Sequence, residues 1–138
     1  MKKTSVTDIE LLGDLLFGAA RTLGGSRLED AELIKLACDE FEGQPFCVVR
    51  NWMILDLLLP EAQESEIRKQ GLQPSVLYAH QVVFDSKARF SNSDTFITSY
   101  QKDFHGCFFE SKDTLYILAG RGARKHASLP ALQALAAY

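Results

Sequence analysis

Histidine and cysteine, the side chains most used for bond-making and metal binding, are scarce here, with three of each in 138 residues. Cys38, Cys47 and Cys107 are odd in number and far apart. No CxxC pair and no Cys/His pair at zinc spacing occurs, which argues against a disulfide framework or a zinc knuckle. Neither a metal nor a cofactor is expected. Free thiols fit a reducing cytoplasm. Long apolar runs are missing too: no stretch approaches the ~20 residues of a membrane helix, and Asp8 and Glu10 interrupt the start before a signal peptide could form. Nor is there a basic surplus. The net charge of −3 argues against a general nucleic-acid binder. A soluble, cytoplasmic protein without membrane contact is expected.

What the chain does contain is an ordinary globular mixture, 46% hydrophobic and 24% charged, long enough for one domain over 1–138 with a real core. Its charge is uneven: residues 1–75 hold 13 acids and 8 bases, residues 76–138 hold 5 acids and 7 bases. The organising stretch runs from Val76 to Ala119. Runs rich in β-branched and aromatic residues at 76–84, 95–100, 108–110 and 114–119 alternate with turn chemistry at Asp85-Ser86-Lys87 and Ser111-Lys112-Asp113. That pattern predicts an antiparallel meander.

Before it, Ile9, Leu12, Leu16, Ala19, Ala20 and Leu23 recur near helical period, predicting a helix over 8–23 that Gly24-Gly25 stops. Ser26 and Glu29 have capping-box spacing, and Leu28, Ala31, Ile34, Cys38 and Phe41 would line one face of a second helix. The two predict a helical hairpin over 1–44. Residues 46–59 are strand-like, either one long bent strand or two pivoting at Arg50-Asn51. Pro60, Glu61, Glu64, Arg68, Lys69 and Gly71 predict a short polar helix at about 60–70. Ser128 and Pro130 open a last helix whose Leu132 and Leu135 pack back. The fold class is α+β: the hairpin packed on an antiparallel sheet of four to five strands within 45–126, a short middle helix, and a short C-terminal helix in 127–138.

Candidate chemistry is thin. His105 and Cys107 share a strand face if the strand is regular, and a thiolate beside an imidazole would start a nucleophilic site. Gly106 between them implies a bulge, and free cysteine is mostly a small buried hydrophobe. His80 lacks a ligand-spaced partner. No catalytic set is therefore assigned; the enzyme alternative is a cysteine enzyme using Cys107 with His105 or His80. Asp56 interrupts an apolar run and is expected on the solvent side of its strand; buried, it would need an arginine. Trp52 is expected in the core.

Two charged surfaces remain. Gly120-Arg121-Gly122 followed by Arg124, Lys125 and His126 reads as a basic turn able to hold an anion, although neither GxGxxG nor a Walker lysine is present. Glu29, Asp30, Glu32, Asp39 and Glu40, with Glu42, form an acidic pole suited to a basic groove. Either is a partner-binding candidate; each is also read more plainly as solvated surface.

The blocks CVVRNWMILDLLLP at 47–60, GLQPSVLYAHQVVFDSKARF at 71–90 and FFESKDTLYILAGRGARK at 108–125 resemble a family of small uncharacterised domains of proteobacteria, Pseudomonas especially, and their prophages. The likeness covers roughly 45–126. It implies an origin in a bacterium or mobile element, and with it a non-enzymatic protein that binds and inhibits a host protein or protein–nucleic acid complex, as anti-CRISPR and other counter-defence proteins do. The expected function is accordingly a protein-binding module, possible as a homodimer. The alternatives are the cysteine enzyme and a nucleic-acid-associated protein using the 121–126 bases.

Overall fold

The computed structural model describes residues 6–91 and 94–137. Its hub is one strand. Of the two expected alternatives the single strand forms: Phe46–Leu58 (β2) is undivided over 13 residues, and its near-continuous apolar run is buried on both faces. One edge of β2 pairs antiparallel with Ser75–Asp85 (β3). The other edge is shared in succession: Phe46–Val49 pairs in parallel with Leu115–Leu118 (β7), then Met53–Leu58 with Arg121–Ser128 (β8). The change of partner falls at Arg50-Asn51, the predicted pivot. Asn51 has φ 52 there, a left-handed conformation that asparagine tolerates better than most residues.

That kink also changes which way the side chains face. Cys47 and Val49 share a core cluster with Trp52 and Ile54. Val48 joins a second cluster, and Met53, Leu55 and Leu57 a third. From Val49 to Trp52 is a step of three residues, so the two halves of β2 are out of phase: on one face both join the Trp52 cluster, and on the other Val48 and Met53 meet separate clusters. Ile54 and Leu55, both fully buried, each contribute ~1.5–3 kcal/mol by leaving water.

Beyond β2 the sheet is mixed and curled rather than a simple meander. Arg21–Gly24 (β1) lies on β8, while Phe108–Ser111 (β6) and Gln101–His105 (β5) extend from β7, and the two-residue Phe96–Ile97 (β4) lies on β3. The curl brings Gln101 back to Gln73 in an isolated bridge. An antiparallel sheet of four or five strands is therefore corrected to a mixed sheet of eight strands among the described residues, with two parallel strand pairings. The missed strands β1, β5 and β8 are short or rich in polar residues, and their strand character comes from neighbouring edges rather than from their own apolar periodicity.

The helical hairpin is also corrected. Val6–Phe17 (α1) ends early, where the Gly18 amide bonds Asp14 O at 2.8 Å and a Cβ on Gly18 would strike that oxygen. The next residues are taken by the free edge of β8 as β1. Asp30–Glu40 (α2) packs Leu33 and Ala37 on the Phe46–Ile117 cluster, whereas α1 packs with Leu129–Ala137 (α4) on the Leu55–Leu57 cluster. The two helices thus cover different parts of the sheet. The buried stripe of α2 is rotated from the expected one, leaving Cys38 and Ala31 exposed. No capping box forms: the backbone of Ser26 bridges Ala119, its hydroxyl accepts from Leu28 N, and Glu29 makes no side-chain cap.

The other helices agree with expectation. Glu61–Lys69 (α3) starts after Pro60 and is followed by Gly71 at φ 78. Ser128 Oγ accepts from Ala131 N at 3.2 Å, and Leu135 is buried against α1 and β2.

Candidate functional site

Strand alternation decides what the basic segment does. Gly120 (φ 67) makes the turn, but 121–128 is strand β8, so the basic turn read from the sequence is confined to one residue. Consecutive β8 side chains then face opposite ways. On one face Ala127 packs in the helix-covered cluster with Ala123 beside it, and Lys125 donates from Nζ to Asp14 O at 2.7 Å and Leu15 O at 2.9 Å. Lys125 thereby ties off the carbonyl end of α1.

On the other face lie Gly122, Arg124 and His126, along the Trp52–Ile54–Asp56 row of β2. Trp52 is buried and donates from Nε1 to Ala119 O at 3.2 Å. A Cβ on Gly122 would enter its indole ring, so only glycine fits beneath it. Two positions further along, Arg124 donates from Nε to Asp56 Oδ2 at 2.7 Å and from Nη2 to Oδ1 at 2.8 Å. This is a bidentate pair between diagonal neighbours in register, since Ile54 is opposite Arg124 and His126 opposite Asp56. On the other side Ser75, opposite Asp56 in β3, donates to Oδ1 at 2.6 Å. Asp56 is therefore half-buried and paired, which corrects the expected solvent-facing position: the sheet supplies the arginine from 68 residues away. Burial pushes the Asp56 carboxyl up, but the hydrogen bonds of Arg124 and Ser75, and the nearby His126, hold it below its ordinary range. Asp56 in turn raises Arg124.

The pair forms part of the wall of a cleft of ≈ 480 Å³. Gln73, Ser75, Gln101 and Phe104 line it, together with Arg68 and Glu64 of α3 and Lys102 and Asp103 of β5. The Phe104 ring lies under the Arg124 guanidinium, 5.6 Å from Cζ to centroid. Gln101 Oε1 is buried with no hydrogen-bond partner, a condition that costs ~1–3 kcal/mol. Sequence reading missed Ser75, Gln101 and Phe104. The predicted strand run ends at Tyr100, and the curl of the sheet brings Gln101 back to Gln73.

The remaining candidates are dispersed. Gly106 (φ 58) and Cys107 form the loop of the β5–β6 hairpin, so His105 and Cys107 do not share a strand. His105 is exposed at the end of β5, 3.8 Å from Asp103, and His80 is exposed on β3 beside Tyr78. No hydrogen bond joins either histidine to Cys107 among the described residues. Burial raises the Cys107 thiol, and Cys47 is pushed up to about 12 by burial first and by Asp85 second. Among the described residues no three of His, Cys, Asp and Glu are grouped to hold a metal, and no helix is long and apolar enough to cross a membrane. Asp30 pairs with Arg50 at 2.7 Å. Glu29, Glu32, Asp39 and Glu40 are exposed on and beside α2, around a half-exposed Leu36; Arg121 is exposed at the start of β8.

A family model described as a domain of unknown function, DUF6957, matches residues 24–134, a wider span than the 45–126 of the sequence likeness. No curated protein and no solved structure matches the chain.

Proposed function

The chain belongs to the DUF6957 family, and from that premise we propose that it is a non-enzymatic binding module whose partner is a protein with a basic surface. The observation that carries this reading is the engagement of the β8 cations. Arg124 is held by Asp56 and Lys125 by the end of α1, which leaves Arg121 alone of the three for an outside anion. The acids Glu29, Glu32, Asp39 and Glu40 remain exposed, with Leu36 among them as an apolar contact point. Acidic steering around an apolar anchor suits a protein groove and gives fast, salt-sensitive association.

A second line of support is the direction in which the fold moves its ionisable groups. The Cys47 and Cys107 thiols go up, the Asp56 and Asp85 carboxyls go down, and their arginines go up. Each change deepens the inert form of the group, the reverse of what nucleophiles and acid–base catalysts need. The narrower form of the proposal, a phage or mobile-element protein that inhibits a host complex in the manner of anti-CRISPR proteins, rests on the sequence resemblance.

Affinity capture from bacterial lysate with the parent chain and with a Glu32→Lys/Asp39→Lys/Glu40→Lys variant tests the proposal. The parent is expected to retain one protein in stoichiometric amount, less at high salt, and the variant to lose it. Recovery of no stoichiometric partner, or equal retention by the variant, contradicts it.

A further inference from the structure

The Asp56–Arg124 pair lines two hollows. One is the cleft it shares with Ser75 and Phe104; the other, of ≈ 440 Å³, is completed by Ala19, Ala20, Arg21 and His126. Strand register explains what meets in the second. Arg21 is directly opposite Arg124 in the β1–β8 pair, and Leu23, two residues on, packs in the Trp52 cluster. Arg21 therefore stands on the same face as Arg124, His126 and Asp56. Like charges directly opposite repel. Arg124 gives its fork to Asp56 on the β2 side, and Arg21 is left exposed, with no hydrogen bond or ion pair among the described residues.

His126, two positions past Arg124, is the diagonal neighbour of Arg21 on that face, a relation that places Cβ atoms ~7–8 Å apart. It too is exposed and makes no hydrogen bond among the described residues. Ala19 and Ala20, just before β1, are too short to fill the space beside it. The other charges at the hollow are already matched: Lys125 is committed to the end of α1, and Asp56 to Arg124 and Ser75. Two unengaged donors on adjacent strands thus border one space. An arginine fork takes two oxygens of an anion, and an imidazole N–H takes a third. A carboxylate has only two oxygens, whereas a phosphoryl group offers three strong acceptors and the greater charge.

We infer that this hollow is a binding site for a phosphoryl group, free or as a phosphomonoester, held by Arg21 and His126 while Arg124 stays with Asp56. A bound anion also offsets the repulsion between the two facing arginines. The site is separate from the acidic face of α2, and either proposal can fail without the other.

The test is a titration of the ¹⁵N-labelled full chain with inorganic phosphate and with glycerol 3-phosphate, followed by amide and arginine Nε shifts, with acetate as comparator. At least one of the two phosphates is expected to give saturable shifts at Arg21 and His126 below about 10 mM, and the tighter of them tells free anion from ester. Acetate should bind at least about tenfold more weakly. Arg21→Gln and His126→Ala should each weaken phosphate binding about fivefold or more; both side chains are exposed, so the fold should tolerate either change. Arg121→Gln removes an exposed base on the opposite face of β8 and should leave the affinity within about twofold. Four results overturn the inference: no saturable shift with either phosphate, acetate bound as tightly, undiminished binding in Arg21→Gln or His126→Ala, or an equal loss in Arg121→Gln.

Discussion

Of the three aspartate–arginine pairs among the described residues, two, at Asp85 and Asp56, carry the contrast that separates scaffold from site. Asp85 and Arg89 are i,i+4 neighbours in the turn after β3. The Asp85 side chain is fully buried. It accepts from the backbone amides of Arg89 at 2.7 Å and Phe90 at 3.1 Å and from both ends of the Arg89 fork, while Arg89 Nη1 reaches Thr114. Its acceptor capacity is filled, and the turn it closes sets the start of the loop after β3. Asp56 and Arg124 use the same chemistry between strands 68 residues apart, with each side chain 23% exposed. That pair still meets solvent along a cleft. A carboxylate enclosed on all sides, as Asp85 is, belongs to the architecture, although its Arg89 partner is 36% exposed; the Asp56 carboxylate keeps an open side.

The largest effect is expected from breaking the closed pair. Asp85→Ala leaves the turn amides of Arg89 and Phe90 without their buried acceptor and Arg89 without its carboxylate, and should cost about 3 kcal/mol in urea unfolding. A loss no greater than that of an exposed aspartate would remove the distinction between the pairs. Acid titration gives a smaller, sharper test. Both carboxyls lie below the ordinary value of 3.8 in the folded chain: burial raises each, and hydrogen bonds, chiefly from Arg124 for Asp56 and from Arg89 for Asp85, outweigh it. A depressed folded pKa means the unfolded chain binds protons first, so this stability is complete above that value and is lost as pH falls through the folded values. Unfolding free energy measured against pH should therefore drop below about pH 4, and less steeply in Asp56→Asn. A flat profile through that range contradicts the pairing of both groups.

Much of this architecture was legible in the residues. The run from Phe46 reads as strand, the pivot at Arg50-Asn51 falls where β2 changes partner, and Pro60, Gly71 and Ser128 bound α3 and α4 as their chemistry requires. What stayed hidden is non-local. Arg21–Gly24 looks helical by periodicity and becomes a strand because β8 offers it an edge. Arg121 to His126 looks like one basic cluster, and period two splits it: Lys125 to the helix side, Arg124 and His126 to the cleft. The expected choice for Asp56 followed from the rarity of unpaired buried acids. Its arginine lies 68 positions away, beyond the reach of any local pattern.

The point on which the rest turns is that Arg124 is held by Asp56 and is not free for an outside anion. A double-mutant cycle in urea, with Asp56→Asn, Arg124→Met and the double variant, measures this directly. A bidentate pair in register predicts a coupling of at least about 1 kcal/mol. Additive effects, with no coupling, would leave Arg124 among the free bases of β8 and contradict it.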